Sequence, residues 1–291
     1  MRGVGEATAA VTFVNAIPTG IGAAAGVELR VRAEVRCEPR PGLGTLSVTI
    51  VPGGSDTPLV RSAIRTALER AGLPPAGTVE ITLASEIPPG AGLKSSSAVA
   101  SSIALAVDRA AGARSSPESI AAVSAEASRQ AGVSATGAFD DALAGLTSGV
   151  VVTDNRGDRL LKRHPLPRNL EAALWIPPGR HPPSPALASR FRPDDPDAVT
   201  AADAALHGRL WEAMTANSRV VDAAMGYDRG PLRDRLLRAG AVACGTSGLG
   251  PAWAAIGARD RVADLLQELP TSEGERRRVK FRPDDGTGGE T

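Results

Sequence analysis

Residues 88–98 read PPGAGLKSSSA and run directly into VASSIALAV, so a glycine-rich turn delivers backbone N–H groups and hydroxyls to a helix start. A helix start leaves about four amides unpaired and carries roughly half a positive elementary charge, which suits an anion without any dedicated side chain. Glycine lets the backbone approach phosphates closely, and a serine hydroxyl can cap the helix or hold a phosphate-bound Mg2+. A P-loop needs Gly directly before Lys, but Lys94 follows Leu93. A dinucleotide fingerprint needs a glycine three residues after Gly92, where Ser95 stands. What survives is P-x-G-x-G-L-x-S-S-S-A, whose fixed order of turn, serine triplet and small-residue helix is more specific than ordinary turn chemistry.

The 291 residues predict two domains. Hydrophobic residues make up 42% and charged residues 22%, as in ordinary globular chains. With four Phe, three Trp and one Tyr, the core must be built from aliphatic side chains, and base-stacking platforms for nucleic acid are not expected. The net charge is +1, and Arg276, Arg277, Arg278 and Lys280 stand beside Glu273 and Glu275, so no polyanion partner is implied. Cys37 and Cys244 lack the number and spacing of a zinc site or disulfide framework, and both read as small buried side chains in a reducing compartment. Glu6, Asn15 and Pro18 interrupt any signal-like apolar segment, and no apolar run approaches the ~20 residues of a membrane span, so a cytoplasmic protein without a membrane partner is expected.

Hydrophobic alternation predicts strands over 4–14 and 27–36, separated by the small-residue loop 15–26, NAIPTGIGAAAG. Further strands are expected over 45–51 and 78–83 around a helix at 57–71, then helices at 95–110 and 117–131. The segment 136–144, TGAFDDALA, enters a short helix, and 149–157 starts a hairpin. The Pro-rich stretch 177–196 marks a linker or surface loop. Helices are predicted at 196–223 and 230–239, a strand, glycine turn and strand over 240–256, a helix over 258–268 and a last strand over 278–282. This places an α+β N-terminal domain at 1–159, a C-terminal domain at 160–283 and a disordered tail at 284–291.

Three motifs in this order, the loop 15–26, the turn 88–98 and the turn 245–251 (GTSGLGP), resemble those of the GHMP kinases. The family's second motif usually reads G-L-G-S-S or G-L-S-S-S; Lys94 takes the variable place here. Together with NAIPTGIGAA, TGAFDDA and AMGYD at 224–228, that variant looks like the archaeal-type shikimate kinase branch.

The resemblance implies a two-domain fold, an N-terminal nucleotide-binding α/β domain and a C-terminal ferredoxin-like α/β domain. It also implies ATP- and Mg2+-dependent phosphorylation of the 3-hydroxyl of shikimate, a small-molecule substrate. Pro88, Pro89, Gly90, Ala91, Gly92, Leu93, Lys94, Ser95, Ser96 and Ser97 would then hold the nucleotide, and Ser96 and Glu126 the metal. Asp140 would be the base, with Asp141 its neighbour, and Asn15, Thr19, Thr136, Gly137 and Gly248 would line the acceptor. Lys94 is a charge for phosphate or for the acceptor's carboxylate, or else a loop side chain in solvent. The chain holds too many arginines to choose one for that carboxylate. Homoserine kinase is the alternative within the fold, and a non-catalytic ligand-binding regulator the alternative outside enzymes.

Overall fold

The computed structural model describes residues 1–40, 46–51, 57–134, 136–179, 185–271 and 273–283, so the tail expected at 284–291 lies outside the described residues. It contains two sheets. In the first, β1 (Arg2–Val14) runs antiparallel along β2 (Ile21–Pro39), from Arg2 opposite Arg36 to Val14 opposite Ala23. On its other edge β2 pairs antiparallel with β5 (Val150–Asp154) through residues 21–25 and with β4 (Gly77–Ser85) through residues 31–39. Strand β3 (Leu46–Val51) lies parallel to β4, and β6 (Arg159–His164) pairs with β5.

The expected loop 15–26 is therefore short. Asn15 caps the four-residue helix α1 (Ala16–Thr19), its side chain accepting from Ile17 N–H, Gly20 ends it, and the glycine- and alanine-rich residues from Ile21 on are strand. Their burial on both faces removes the alternation that marks a half-exposed strand.

Helices α2 (Pro58–Arg70), α3 (Ser95–Ala110) and α4 (Pro117–Gln130) share one apolar cluster with β2 and β4, and α5 (Phe139–Ala144) packs beside α4. Thr57 and Ser116 cap α2 and α4, each ahead of a first-turn proline. Helix α3 brings the backbone of Ser102, Ala106 and Ala110 against β1, and β1 answers with glycine. A Cβ on Gly5 would stand 2.1 Å from Ser102 O and one on Gly3 2.0 Å from Ala106 O. That contact fixes where the N-terminus of α3 emerges.

The second sheet has the order β10 (Glu275–Lys280), β7 (Leu170–Ile176), β9 (Trp253–Ala258), β8 (Ala243–Thr246), all antiparallel. Counted from β7, that is order 4-1-3-2, and with the helices it is the ferredoxin-like βαββαβ arrangement. Strand β7, LEAALWI, is fully buried for most of its length, and its alanines and leucines give no period-2 signal from which to predict it.

The single helix expected at 196–223 is two, α7 (Pro196–Leu206) and α8 (Leu210–Met225), broken at Gly208, whose φ is +76°. Between β7 and α7 stands the short α6 (Pro185–Ala188), inside the expected linker; α9 (Gly230–Arg238) and α10 (Val262–Glu268) cover the other face of the second sheet. One core cluster runs through β1, β2, β7, β9, α7 and α8 and so joins both sheets. A bridge from Val27 to Phe281 and the bond from Arg282 N–H to Gly26 O (2.8 Å) add to the seam. Because β6 pairs within the first sheet, the passage between sheets falls after His164 rather than at 159/160.

Candidate active site

A cleft of about 310 Å3 opens where the loop before α3, the end of α4, α5, α1 and the loop 247–250 converge. Gly90, Gly92, Lys94, Ser95, Ser96 and Ser97 line it. Ala91 and Leu93 point the other way and are buried in the shared core, 3% and 1% exposed. Of the residues expected to hold nucleotide, then, Pro88, Pro89, Ala91 and Leu93 shape the turn without lining the cleft.

Gly90, Gly92 and Lys94 all have positive φ, +72°, +88° and +66°. Glycine adopts this freely, whereas a lysine there costs roughly 1 kcal/mol or more. Lys94 is also the N-cap of α3, and no side chain caps that helix, so the serine run does not do so and its first-turn amides are left for a ligand.

The loop 247–250 closes onto this turn backbone to backbone. A Cβ on Gly92 would lie 2.3 Å from Ser247 O and 2.8 Å from Gly250 O. Ser247 Oγ donates to Gly92 O (3.0 Å) and Ala252 N–H to Ala91 O (2.9 Å). Gly248 N–H donates to Thr12 Oγ1 (2.9 Å), and Asn15 Nδ2 to Gly248 O (3.3 Å).

Behind the loop Arg229 is buried, with its guanidinium 4.0 Å from the Tyr227 ring and 5.4 and 5.5 Å from those of Trp253 and Trp175. It donates to Thr246 Oγ1 (3.0 Å) and Pro251 O (2.8 Å); Thr246 in turn donates to Asp222 (2.7 Å), and Tyr227 to Leu249 O (3.0 Å). Arg229 directly follows the AMGYD segment, and nothing in the sequence marked it.

The two acids stand in the first turn of α5, after Ala138 in the left-handed region (φ +55°). Asp140 Oδ1 accepts from Asn155 Nδ2 at 2.6 Å, and Asn155 Oδ1 accepts from the Asp140 N–H (3.3 Å) and the Thr153 hydroxyl (2.6 Å). The carboxylate is seated against bare backbone, since a Cβ on Gly22 would be 2.5 Å from Asp140 Oδ2. Asp141 instead faces Lys94, Oδ1 to Nζ 3.0 Å, with both side chains about nine-tenths buried. Burial, and then the neighbouring charge of Asp140, push the Asp141 carboxyl up to about 7 against the opposing pull of Lys94. Adjacent acids thus have unlike settings, one oriented by an amide and one titrating near neutrality beside an ammonium.

Asn15, Thr136 and Gly248 line the cleft; Thr19 and Gly137 do not. The Thr19 hydroxyl accepts from Ile21 N–H (3.1 Å), and Gly137 lies under Arg129, whose Nη1 is 2.2 Å from where its Cβ would be. Glu126 is not brought to the cleft. It accepts from Gln130 (3.0 Å) and pairs with Arg129 (3.1 Å), bonds that hold its carboxyl below the usual range. Arg129 pairs also with Asp158 at 2.6 Å. Among the described residues no group of three or more His, Cys, Asp or Glu could hold a metal ion. Both cysteines are buried free thiols, and no helix there is long and apolar enough to cross a membrane.

A helix-start cradle, an acid pair and a closing glycine loop define a phosphotransferase of the GHMP type, and the GHMP kinases N terminal domain model matches residues 58–149. The chain belongs to the GHMP kinases and is an enzyme of that class. Within them it is similar to the shikimate kinase of Methanosarcina mazei, 35% identical over 254 residues (87% of this chain, 85% of that one). It is also similar to that of Halobacterium salinarum, 35% identical over 267 residues (91% and 92%). The fold is that of the Methanococcus jannaschii mevalonate kinase (TM-score 0.72, 14% identity, 97% and 99% covered) and the Cytophaga hutchinsonii homoserine kinase (0.69, 20%, 92% and 89%).

Proposed function

We propose that this enzyme transfers the γ-phosphoryl group of ATP to the 3-hydroxyl of shikimate. The observation that carries the chemistry is Asp140, oriented by Asn155 across a cleft whose other wall is the uncapped start of α3. The substrate rests on the relatives, whose named activity spans nearly their whole length in common with this chain.

The first-turn amides of α3 and the backbone at Gly90 and Gly92 receive the phosphates. Lys94, anchored by Asp141, presents a fixed positive charge to the group in transfer. Asp140 takes the proton of the acceptor hydroxyl as its oxygen bonds to phosphorus and the bond to the ADP oxygen breaks. Asn155 keeps the accepting oxygen on the acceptor side.

The residues fit a phosphate-bound Mg2+, because such an ion draws most of its ligands from phosphate and water. Ser96 would supply the protein hydroxyl; Glu126, committed to Arg129, would not. When bound, the ion neutralises charge on the β- and γ-phosphate oxygens. In this reading residues 1–164 bind the nucleotide and residues 165–283 close the cleft through 247–250, in the cytoplasm.

The test is ADP release with ATP, Mg2+ and, separately, shikimate, homoserine, mevalonate and galactose. Turnover with shikimate alone is expected. Turnover with homoserine instead would reassign the substrate, and silence with all four would overturn the reading.

A further inference from the structure

An acceptor that carries a carboxylate needs a cation placed a ring's width from the base, and the lysine and arginines nearest the acid pair are largely committed. Lys94 is held by Asp141, Arg129 by Glu126 and Asp158, and Arg159 by Asp154 at 2.8 Å. The turn from β5 to β6, residues 154–158, is tied down on both sides of one remaining arginine. Asn155 N–H donates to Gly20 O (2.9 Å) and its side chain to Asp140, while Asp158 holds Arg129. Asp154 accepts from the Arg156 N–H at 3.0 Å, which fixes the backbone of Arg156 but not its guanidinium. Arg156 is exposed, and among the described residues no carboxylate pairs with it.

Its position is set by glycine. The Arg156 side chain lies on Gly20, with Nε 2.6 Å and Cδ and Cγ 3.1 Å from where a Cβ would be. Two residues on, the place of the Gly22 Cβ is filled by the Asp140 carboxylate at 2.5 Å. Gly20 is the left-handed cap of α1 (φ +84°) and Gly22 lies in β2, and Cα atoms two residues apart are separated by at most about 7 Å. Arginine and acid therefore rest on two glycines no more than about 7 Å apart, beside rather than within the lining of the cleft. The 3-hydroxyl of shikimate stands two ring carbons from the carbon bearing the carboxylate, a span of the same order. The planar fork of arginine suits a carboxylate bidentately.

We propose that Arg156, beside the cleft on its Asp140 side, is the anchor for the acceptor's carboxylate, so that the β5–β6 turn carries both ends of its recognition. The proposal rests on the shikimate reading above and adds the subsite that reading leaves open. Arg156 is a binding residue outside the residues of the nucleotide cradle, so its removal should act on one substrate only.

The experiment compares wild type, Arg156→Met and Arg156→Lys, with Lys162→Gln as a charge-loss control on the neighbouring strand. Steady-state kinetics are measured with shikimate and with its uncharged methyl ester. Arg156→Met should raise the KM for shikimate about 10- to 100-fold, the loss expected for a charge-assisted pair, with the KM for ATP and kcat little changed. Arg156→Lys should recover part of the loss, and Lys162→Gln should match wild type. Wild type should discriminate strongly against the ester, and Arg156→Met should not. An unchanged shikimate KM in Arg156→Met, or equal losses toward acid and ester, would overturn the anchor while leaving the kinase reading intact. No turnover of shikimate by the wild type would overturn that reading, and the anchor with it.

Discussion

Asp140 and Asp141 are adjacent in sequence and do different work because their side chains leave α5 toward different partners. For Asp140→Asn we expect kcat to fall about 10²- to 10⁴-fold, the range of a general base, with ATP affinity retained; nucleotide titration beside single-turnover rates checks both. Asn155→Ala removes the bond that aims Asp140 and should cost about tenfold in kcat, again without affecting ATP. Asp141 makes a prediction about stability. Its carboxyl titrates near 7 folded and near 3.8 unfolded, so between those values the folded chain holds the extra proton. Its contribution is fully present below pH 3.8 and is lost as pH rises toward 7, by at most about 1.4 kcal/mol per pH unit. Denaturant titrations from pH 4.5 to 8 should show that decline, and Asp141→Asn should flatten it. An identical slope in the variant would remove Asp141 as its source.

Among the elements, the cradle was legible in the sequence because all its determinants are local. Two glycines, a serine run and an alanine-rich helix suffice, and α3 starts and stops where the residues predict. What was not legible comes from pairing over long distances. Asn155 reaches Asp140, and Arg156 reaches Gly20, only because β5 pairs with the first residues of β2, and nothing in the turn DNRG announces that. Glu126 has the right charge on the right helix, but α4 turns it to Arg129. Strand β7 and the first residues of β2 escaped because buried alanines and glycines carry no period. The contact between loops gives the prediction at this scale. Gly92→Ala adds a methyl at φ +88° within 2.3 Å of Ser247 O, so the two loops must part. A stability loss of roughly 1–3 kcal/mol is expected, together with weakened ATP binding, measured by denaturant midpoint and nucleotide titration. An equally stable variant that still binds ATP would mean that the loops do not close on each other.

At the scale of the molecule the cleft draws on both sheets, with Gly90 to Ser97 and the acids hung from the first and residues 248–250 from the second. The two sheets also share one apolar core through β1, β2, β7 and β9. A ligand in the cleft therefore bridges parts that already share a core, and a single unfolding transition is expected. A non-hydrolysable ATP analogue at about 100 times its Kd should add about 2.7 kcal/mol. For a chain of this size that corresponds to a rise in Tm of roughly 5–10 °C. The rise should appear as one transition moved whole, because residues 248–250 cannot release the nucleotide without breaking contact with Gly92. Asp140→Asn should show the same rise, since the base lies on the acceptor side of the transferred phosphoryl group. Two transitions in calorimetry, with only the earlier one moved by nucleotide, would mean that the second sheet does not help to hold it.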